Sequence, residues 1–142
     1  MIRGVSAWVT IVRRLHILFV DSDPHAQERI RSALENDFSV RCVGSVAEAR
    51  VSLAADMPDI LISEVVVDQE SGLDLCRTVR SNSAQRHLPI MLLTSLGTLP
   101  DKVAGFAAGA DDYVVEPFDA HHLIARIRLL SRIKHLAQNS SA

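Results

Sequence analysis

Two rhythms of apolar and polar residues run along this chain. Short apolar runs, closed by a turn residue or an acid, alternate with longer segments whose apolar positions recur every three or four residues. The sharpest run is Ile60-Leu61-Ile62-Ser63, preceded by the turn Pro58-Asp59 and delivering Glu64 at its end. A strand buried on both faces of a parallel sheet has this pattern. Further strands are predicted over residues 15–20, 39–43, 90–94 and 112–115, the third opened by Pro89. Helices are predicted over 24–36, 45–55, 72–81, 99–108 and 120–135, with a loop over 65–71. Pro24 falls in a first helical turn, where its missing N–H does no harm. Ser45-Val46-Ala47-Glu48 has the spacing of a capping box, and Gly109 suits a left-handed helix cap. On the last helix Leu123, Ile124, Ile127, Leu130 and Ile133 form the expected buried stripe.

Strands alternating with helices predict an α/β fold, a (βα)5 doubly wound parallel sheet with right-handed crossovers. Its bounds are read as an N-terminal extension over 1–14, a domain over 15–136, and a flexible tail or linker start over 137–142. In open parallel sheets, ligands and chemistry gather at the carboxyl ends of the strands. Three acids are delivered there: Asp21 after Ile17-Leu18-Phe19-Val20, Glu64, and Glu116 after Tyr113-Val114-Val115. No lysine or arginine visibly accompanies them in the sequence.

With 142 residues, 48% of them hydrophobic and 23% charged, the chain suits one globular domain with a real core and not a disordered segment. A net charge of -2 gives no electrostatic reason to expect nucleic-acid binding. Cys42 and Cys76 lack metal-ligand spacing and lie in apolar segments, which reads as reduced core thiols of a cytoplasmic protein. The apolar stretch around Trp8 is too short to span a bilayer and lacks a cleavage site. It reads as a loosely attached extension, with weak membrane or partner docking through Trp8 as the alternative.

Four stretches carry a resemblance: Ile17-Leu18-Phe19-Val20-Asp21-Ser22-Asp23-Pro24; Pro58-Asp59 through Ser71-Gly72-Leu73; Pro89 through Thr94-Ser95; and Gly109-Ala110-Asp111-Asp112-Tyr113-Val114-Val115-Glu116-Pro117-Phe118. Together, from about His16 to Leu136, they resemble the receiver domain of two-component response regulators. The resemblance implies a flavodoxin-like fold of strand order 2-1-3-4-5. It also places the family's Mg²⁺-holding acids at Asp21 and Ser22, its phosphoacceptor aspartate at Glu64 and its lysine at Glu116. Thr94 and Tyr113 match the switch threonine and aromatic, and Pro117 the cis proline. Ser22 removes a charged oxygen that a hard cation wants. Glu64 is a methylene longer than aspartate, which displaces its carboxylate from in-line geometry. Glu116 reverses the charge of a recognition element.

The expectation is therefore an atypical, pseudo-receiver signalling module and not an enzyme. It would be phosphorylation-independent, with Mg²⁺ binding weakened or absent, and would act through contacts with a signalling or output domain. The alternative is a phosphorylatable regulatory domain of a transcriptional regulator, with Asp68 as a conceivable stand-in acceptor. Glu64 reads either as a built-in phosphate mimic or as part of a charge-altered pocket without switching. The acid at 116 favours the second, because a mimic needs the lysine.

An enzyme reading competes. Asp21-Ser22-Asp23 after an apolar strand resembles the first motif of haloacid-dehalogenase-type phosphatases, with Asp21 as nucleophile and Asp23 as general acid and base. Pro24 stands against it, as does the placement of Lys102 and Lys134 in helices. His121 and His122 point about 100° apart on a helix and make a poor metal pair. Arg126, Arg128, Arg132 and Lys134 make the last helix basic, which reads as a solvated face. By the same resemblance Lys102, Asp112 and Arg126 fall on a dimer face of helix 4, strand 5 and helix 5. There Asp112 with Arg126 is expected as a cross-subunit pair, His122 replaces an acid, and Ala108 and Ile133 offer apolar contact. A weak homodimer follows as the expectation, with no direct nucleic-acid contact and no membrane span.

Overall fold

The computed structural model describes residues 14–141, with side chains through Lys134. A parallel sheet is formed by β1 (His16–Val20), β2 (Ser39–Val43), β3 (Ile60–Ser63), β6 (Ile90–Thr94) and β7 (Asp112–Val115). The spatial order is β2-β1-β3-β6-β7. Ranked along the chain, these strands run 2-1-3-4-5, the flavodoxin-like arrangement. Between and after them come α1 (Pro24–Leu34), α2 (Val46–Ala55), α3 (Gly72–Ser81), α4 (Leu99–Ala108) and α5 (Ala120–Ser141). The stretch expected as a loop before α3 contains a short antiparallel hairpin, β4 (Val66–Val67) with β5 (Glu70–Ser71). Val67 is fully buried under it, which explains why these residues are held rather than loose.

Alternate residues of each strand point to opposite faces and so feed two cores. Leu18, Val20, Leu61 and Leu92 pack with Leu53, Leu75 and Val79 from α2 and α3. Ile17, Phe19, Ile62 and Met91 pack with Ile30 and Leu34 of α1 and Leu123 and Ile127 of α5. Ile60, Leu61 and Ile62 have no exposed surface, and burying each such side chain is worth about 1.5–3 kcal/mol. This buried triplet fixes the end of β3, and hence the position of Glu64.

Side-chain caps set the helix starts. The Asp23 carboxylate accepts the His25 N–H at the start of α1. Ser45 accepts the Glu48 N–H at 3.0 Å, while the Glu48 carboxylate reaches back to the Gly44 N–H at 3.2 Å. Thr98 and Asp101 form the full reciprocal box on α4, with Asp101 in the place where the usual signature has Glu or Gln. Gly109 ends α4 with φ at 116°, the left-handed region open to glycine.

Three bounds differ from expectation. Helix α1 stops at Leu34 because Phe38 turns inward, 2% exposed, with its N–H on the Leu34 carbonyl. Helix α5 continues to Ser141, through most of the segment expected as a tail. Its buried stripe ends at Leu130, since Ile133 is 52% exposed, three residues past the last contact with the sheet's core. The N-terminal extension and Trp8 lie outside the described residues. Among the described residues no helix is long and apolar enough to cross a membrane.

Candidate functional site

Strand register brings the predicted acids together. Val20 of β1 pairs with Ser63 of β3, and the Glu64 N–H continues that ladder onto the Val20 carbonyl at 2.9 Å. On the other side Thr94 pairs with Val115, and the Glu116 N–H donates to the Thr94 carbonyl at 2.8 Å. Asp21, Glu64, Thr94 and Glu116 therefore share the carboxyl edge of the sheet. The Glu116–Pro117 peptide bond is cis.

Each group has a defined local engagement. Asp21 is 6% exposed and its Oδ1 accepts the Asp23 N–H at 3.0 Å. Burial pushes its carboxyl above the ordinary range against that hydrogen bond, and the Asp23 charge adds to the rise. The Ser22 hydroxyl accepts the Asp68 N–H at 3.1 Å, tying the β4–β5 turn down to the end of β1. Asp68 itself adopts a left-handed backbone, φ 59°, and its side chain is exposed. The Glu64 carboxylate folds back and accepts the adjacent Val65 N–H. Burial also raises the Glu116 carboxyl, and Glu64 raises it further.

Burial, more than the neighbouring carboxylates, lifts the carboxyl in both cases. The pocket is not without a cation. Arg29 of α1 reaches over the edge to within 3.9 Å of Glu116 and partly offsets both rises. Sequence reading missed Arg29 because only the packing of α1 reveals which strand end it meets. The one hint is its place beside Ile30, at the flank of the buried stripe.

The two switch-matching residues converge on one loop residue. The Thr94 hydroxyl accepts the Leu96 N–H at 3.3 Å, and the Tyr113 hydroxyl donates to the Leu96 carbonyl at 2.6 Å. Thr94 and Tyr113 are 1% and 5% exposed, so neither faces solvent. The Tyr113 ring lies against α4 at Gly105. A Cβ there would come within 2.8 Å of Tyr113 Cδ2 and 2.9 Å of Leu92 Cδ1.

The donor set is a poor match for Mg²⁺. Such a cation prefers near-octahedral oxygen coordination with carboxylates among its ligands. Here the position beside Asp21 holds a hydroxyl engaged by Asp68, and Glu64 is turned onto Val65. Among the described residues no group of three His, Cys, Asp or Glu side chains is placed to hold a metal. The phosphatase reading meets a similar obstacle, because the Asp23 carboxylate is spent capping α1.

On the face of α4, β7 and α5, Asp112 and Arg126 pair within the chain, bidentate at 2.6 and 3.0 Å. Lys102 is half-buried, and His122 is exposed. Ala108 is 4% exposed and belongs to the chain's own core, so it offers no contact to a partner. The basic character of α5 is largely answered in place. Arg128 bonds Asp37 at 3.1 Å and lies over the Phe38 ring, and Lys134 reaches Asp111 at 3.0 Å. Cys42 and Cys76 are both free thiols, half-buried and buried.

A five-stranded sheet of this order with acids at its carboxyl edge defines a class, and comparison with known proteins agrees. The response regulator receiver domain family model matches residues 17–128, and the chain belongs to that family. It is 40% identical over 119 residues to response regulator MprA of Mycobacterium leprae (strain TN), covering 83% of this chain and 51% of that protein. The MprA of Mycobacterium ulcerans (strain Agy99) is 37% identical over 129 residues, 90% of this chain and 55% of that one. The chain thus spans about half the length of these curated relatives. Among solved structures, the BeF3-activated N-terminal receiver domain of Klebsiella pneumoniae RstA superposes with a TM-score of 0.75 at 30% identity. That match covers 82% of this chain and 98% of the other. The molecule is a receiver domain of two-component signalling.

Proposed function

We propose that this receiver works without phosphoryl transfer and acts through protein contacts with a signalling or output domain. The observation that carries the reading is the Glu64 carboxylate, folded onto the Val65 N–H beside a second acid, Glu116. A phosphoacceptor must present an oxygen in line with the incoming phosphorus, with cations to receive the developing charge. At this edge the lysine position holds an acid, and the cation present, Arg29, is 3.9 Å from that acid. The Ser22 hydroxyl in place of a carboxylate weakens Mg²⁺ binding further.

The contact surface in this reading includes the face of α4, β7 and α5, where a second copy pairs weakly. Leu99, Val103 and Phe106 recur along one side of α4 at 74%, 60% and 48% exposure, and Ile133 of α5 is exposed nearby in sequence to Arg126. These apolar groups supply the area, and Asp112 with Arg126 supplies a pair that can exchange from within the chain to across it.

Intact-mass measurement after incubation with acetyl phosphate and Mg²⁺ tests the main claim. The expected spectrum is that of unmodified protein. A stoichiometric phosphoryl adduct overturns the reading, and an adduct mapped to Asp68 assigns that residue as acceptor instead.

A further inference from the structure

The opposite edge of the sheet holds a cavity that the receiver chemistry does not use. It measures about 190 Å³ and lies between α2 and the amino-terminal halves of β1 and β2. Strand pairing sets its floor: His16 is opposite Ser39 and Leu18 opposite Arg41, so all four share the face under α2. From α2, Ser52 and the C-cap residue Asp56, four positions later, complete the lining. Farther along the same layer the equivalent inward positions are aliphatic, Val20, Val43 and Leu53. At this end apolar packing gives way to two hydroxyls, a guanidinium and a carboxylate.

The two charged groups of this lining are not paired with each other or with a neighbour among the described residues. Ser52 is 7% exposed and is the one residue of this lining that α2 brings in from the core side. A hydroxyl on a cavity wall can both donate to and accept from a molecule that enters. Neither the Arg41 guanidinium nor the Asp56 carboxylate has an ion-pair partner among the described residues, and both are exposed where the cavity opens. Opposite charges on two walls, a buried hydroxyl and the apolar surface of Leu18 and Pro58 form a recognisable set.

We propose that this cavity binds a small zwitterion of amino-acid size. Arg41 takes the ligand's carboxylate with its planar fork, and Asp56 takes its ammonium. Leu18 and Pro58 receive a short aliphatic side chain, and Ser52 bonds whichever ligand oxygen enters deepest. The volume is smaller than that of sites for drug-sized ligands, which limits the occupant to a compact molecule.

Amide chemical-shift titration of the ¹⁵N-labelled chain tests this, with glycine, alanine and valine as probes and acetate and methylamine as single-charge controls. The expected result is saturable shifts at Ser39, Arg41, Ser52 and Asp56, with an amino-acid Kd of about 1 mM or tighter. Each control should bind at least about tenfold more weakly, and Arg41→Ala and Asp56→Asn should each weaken the amino acid by a similar factor. Both side chains are exposed, so these variants retain the fold. Absence of saturable shifts overturns the proposal, as do shifts indifferent to both substitutions. Controls that bind as well as the amino acids overturn the zwitterion assignment. None of these outcomes depends on whether Glu64 accepts a phosphoryl group.

Discussion

Strand β7 is flanked by two acids with almost the same exposure and opposite circumstances. Asp111, before its first residue, has a side chain 20% exposed; Glu116, after its last, is 21% exposed. Asp111 is bonded by Arg80 at 2.8 Å, by Lys134 at 3.0 Å and by the Ile90 N–H at 2.9 Å. Glu116 has Arg29 at 3.9 Å, with Glu64, Asp21 and Asp23 all raising its pKa beyond what burial does. Equal burial thus does not decide what a carboxylate is for; its partners do. The saturated acid ties α3, α5 and β6 together, while the frustrated one stands at the carboxyl edge it shares with Asp21 and Glu64.

The largest effect should come from rebuilding the frustrated end. Ser22→Asp, Glu64→Asp and Glu116→Lys combined are expected to turn an unlabelled protein into one that acetyl phosphate labels in the presence of Mg²⁺. Intact mass reads the change from none to stoichiometric. A triple variant that folds and stays unlabelled would mean that the scaffold, and not those side chains, blocks the reaction.

Next in size is the saturated end. Asp111→Asn leaves Arg80 and Lys134 facing a neutral amide, and the domain should lose about 2–3 kcal/mol in denaturant unfolding. A loss below about 1 kcal/mol, the level of an exposed pair, would erase the contrast between the two ends of β7.

Glu116→Gln should act in the other direction and depend on pH. The folded state raises the Glu116 carboxyl above its unfolded value, so it binds that proton more tightly than the unfolded chain does. The resulting stability is present at acid pH and is lost as pH rises through the folded pKa. Thermal melts should therefore show the Gln variant above the parent at about pH 7 and level with it at about pH 4. A parent that is the more stable at neutral pH would show that Arg29 outweighs burial and Glu64.

The smallest effect concerns Asp112 and Arg126, one residue along from Asp111. If their pair exchanges across a dimer, Arg126→Glu removes about 0–1 kcal/mol of attraction and adds repulsion. Light scattering over a concentration series should show a weak dimer in the parent and monomer in the variant. A monomer throughout, or a dimer indifferent to Arg126, places the interface elsewhere.

Sequence and structure agree best where short-range pattern decides. Ile60-Leu61-Ile62 announces a buried strand, and the acids after it and after Val20 and Val115 are thereby placed on one edge. Partnerships between long side chains are not legible in this way. Nothing near Asp111 in sequence points to Arg80, which arrives from α3, and nothing near Glu116 points to Arg29. Ala108 and Ile133 show the same limit for apolar groups. Both fit a contact surface by position, yet the turn of α4 buries one and the length of α5 exposes the other.

The missing side chain at Gly105 has a consequence for which substitutions this chain can accept. The Tyr113 ring fills that space and is held there by the bond from its hydroxyl to the Leu96 carbonyl. Any side chain gained at 105 strikes the ring before it strikes anything more yielding, since Leu92 beside it is fully buried. The two positions are therefore coupled in sequence space. A side chain at 105 and the aromatic at 113 exclude one another, and because Leu92 Cδ1 lies 2.9 Å from the same point, losing the ring alone leaves the site tight.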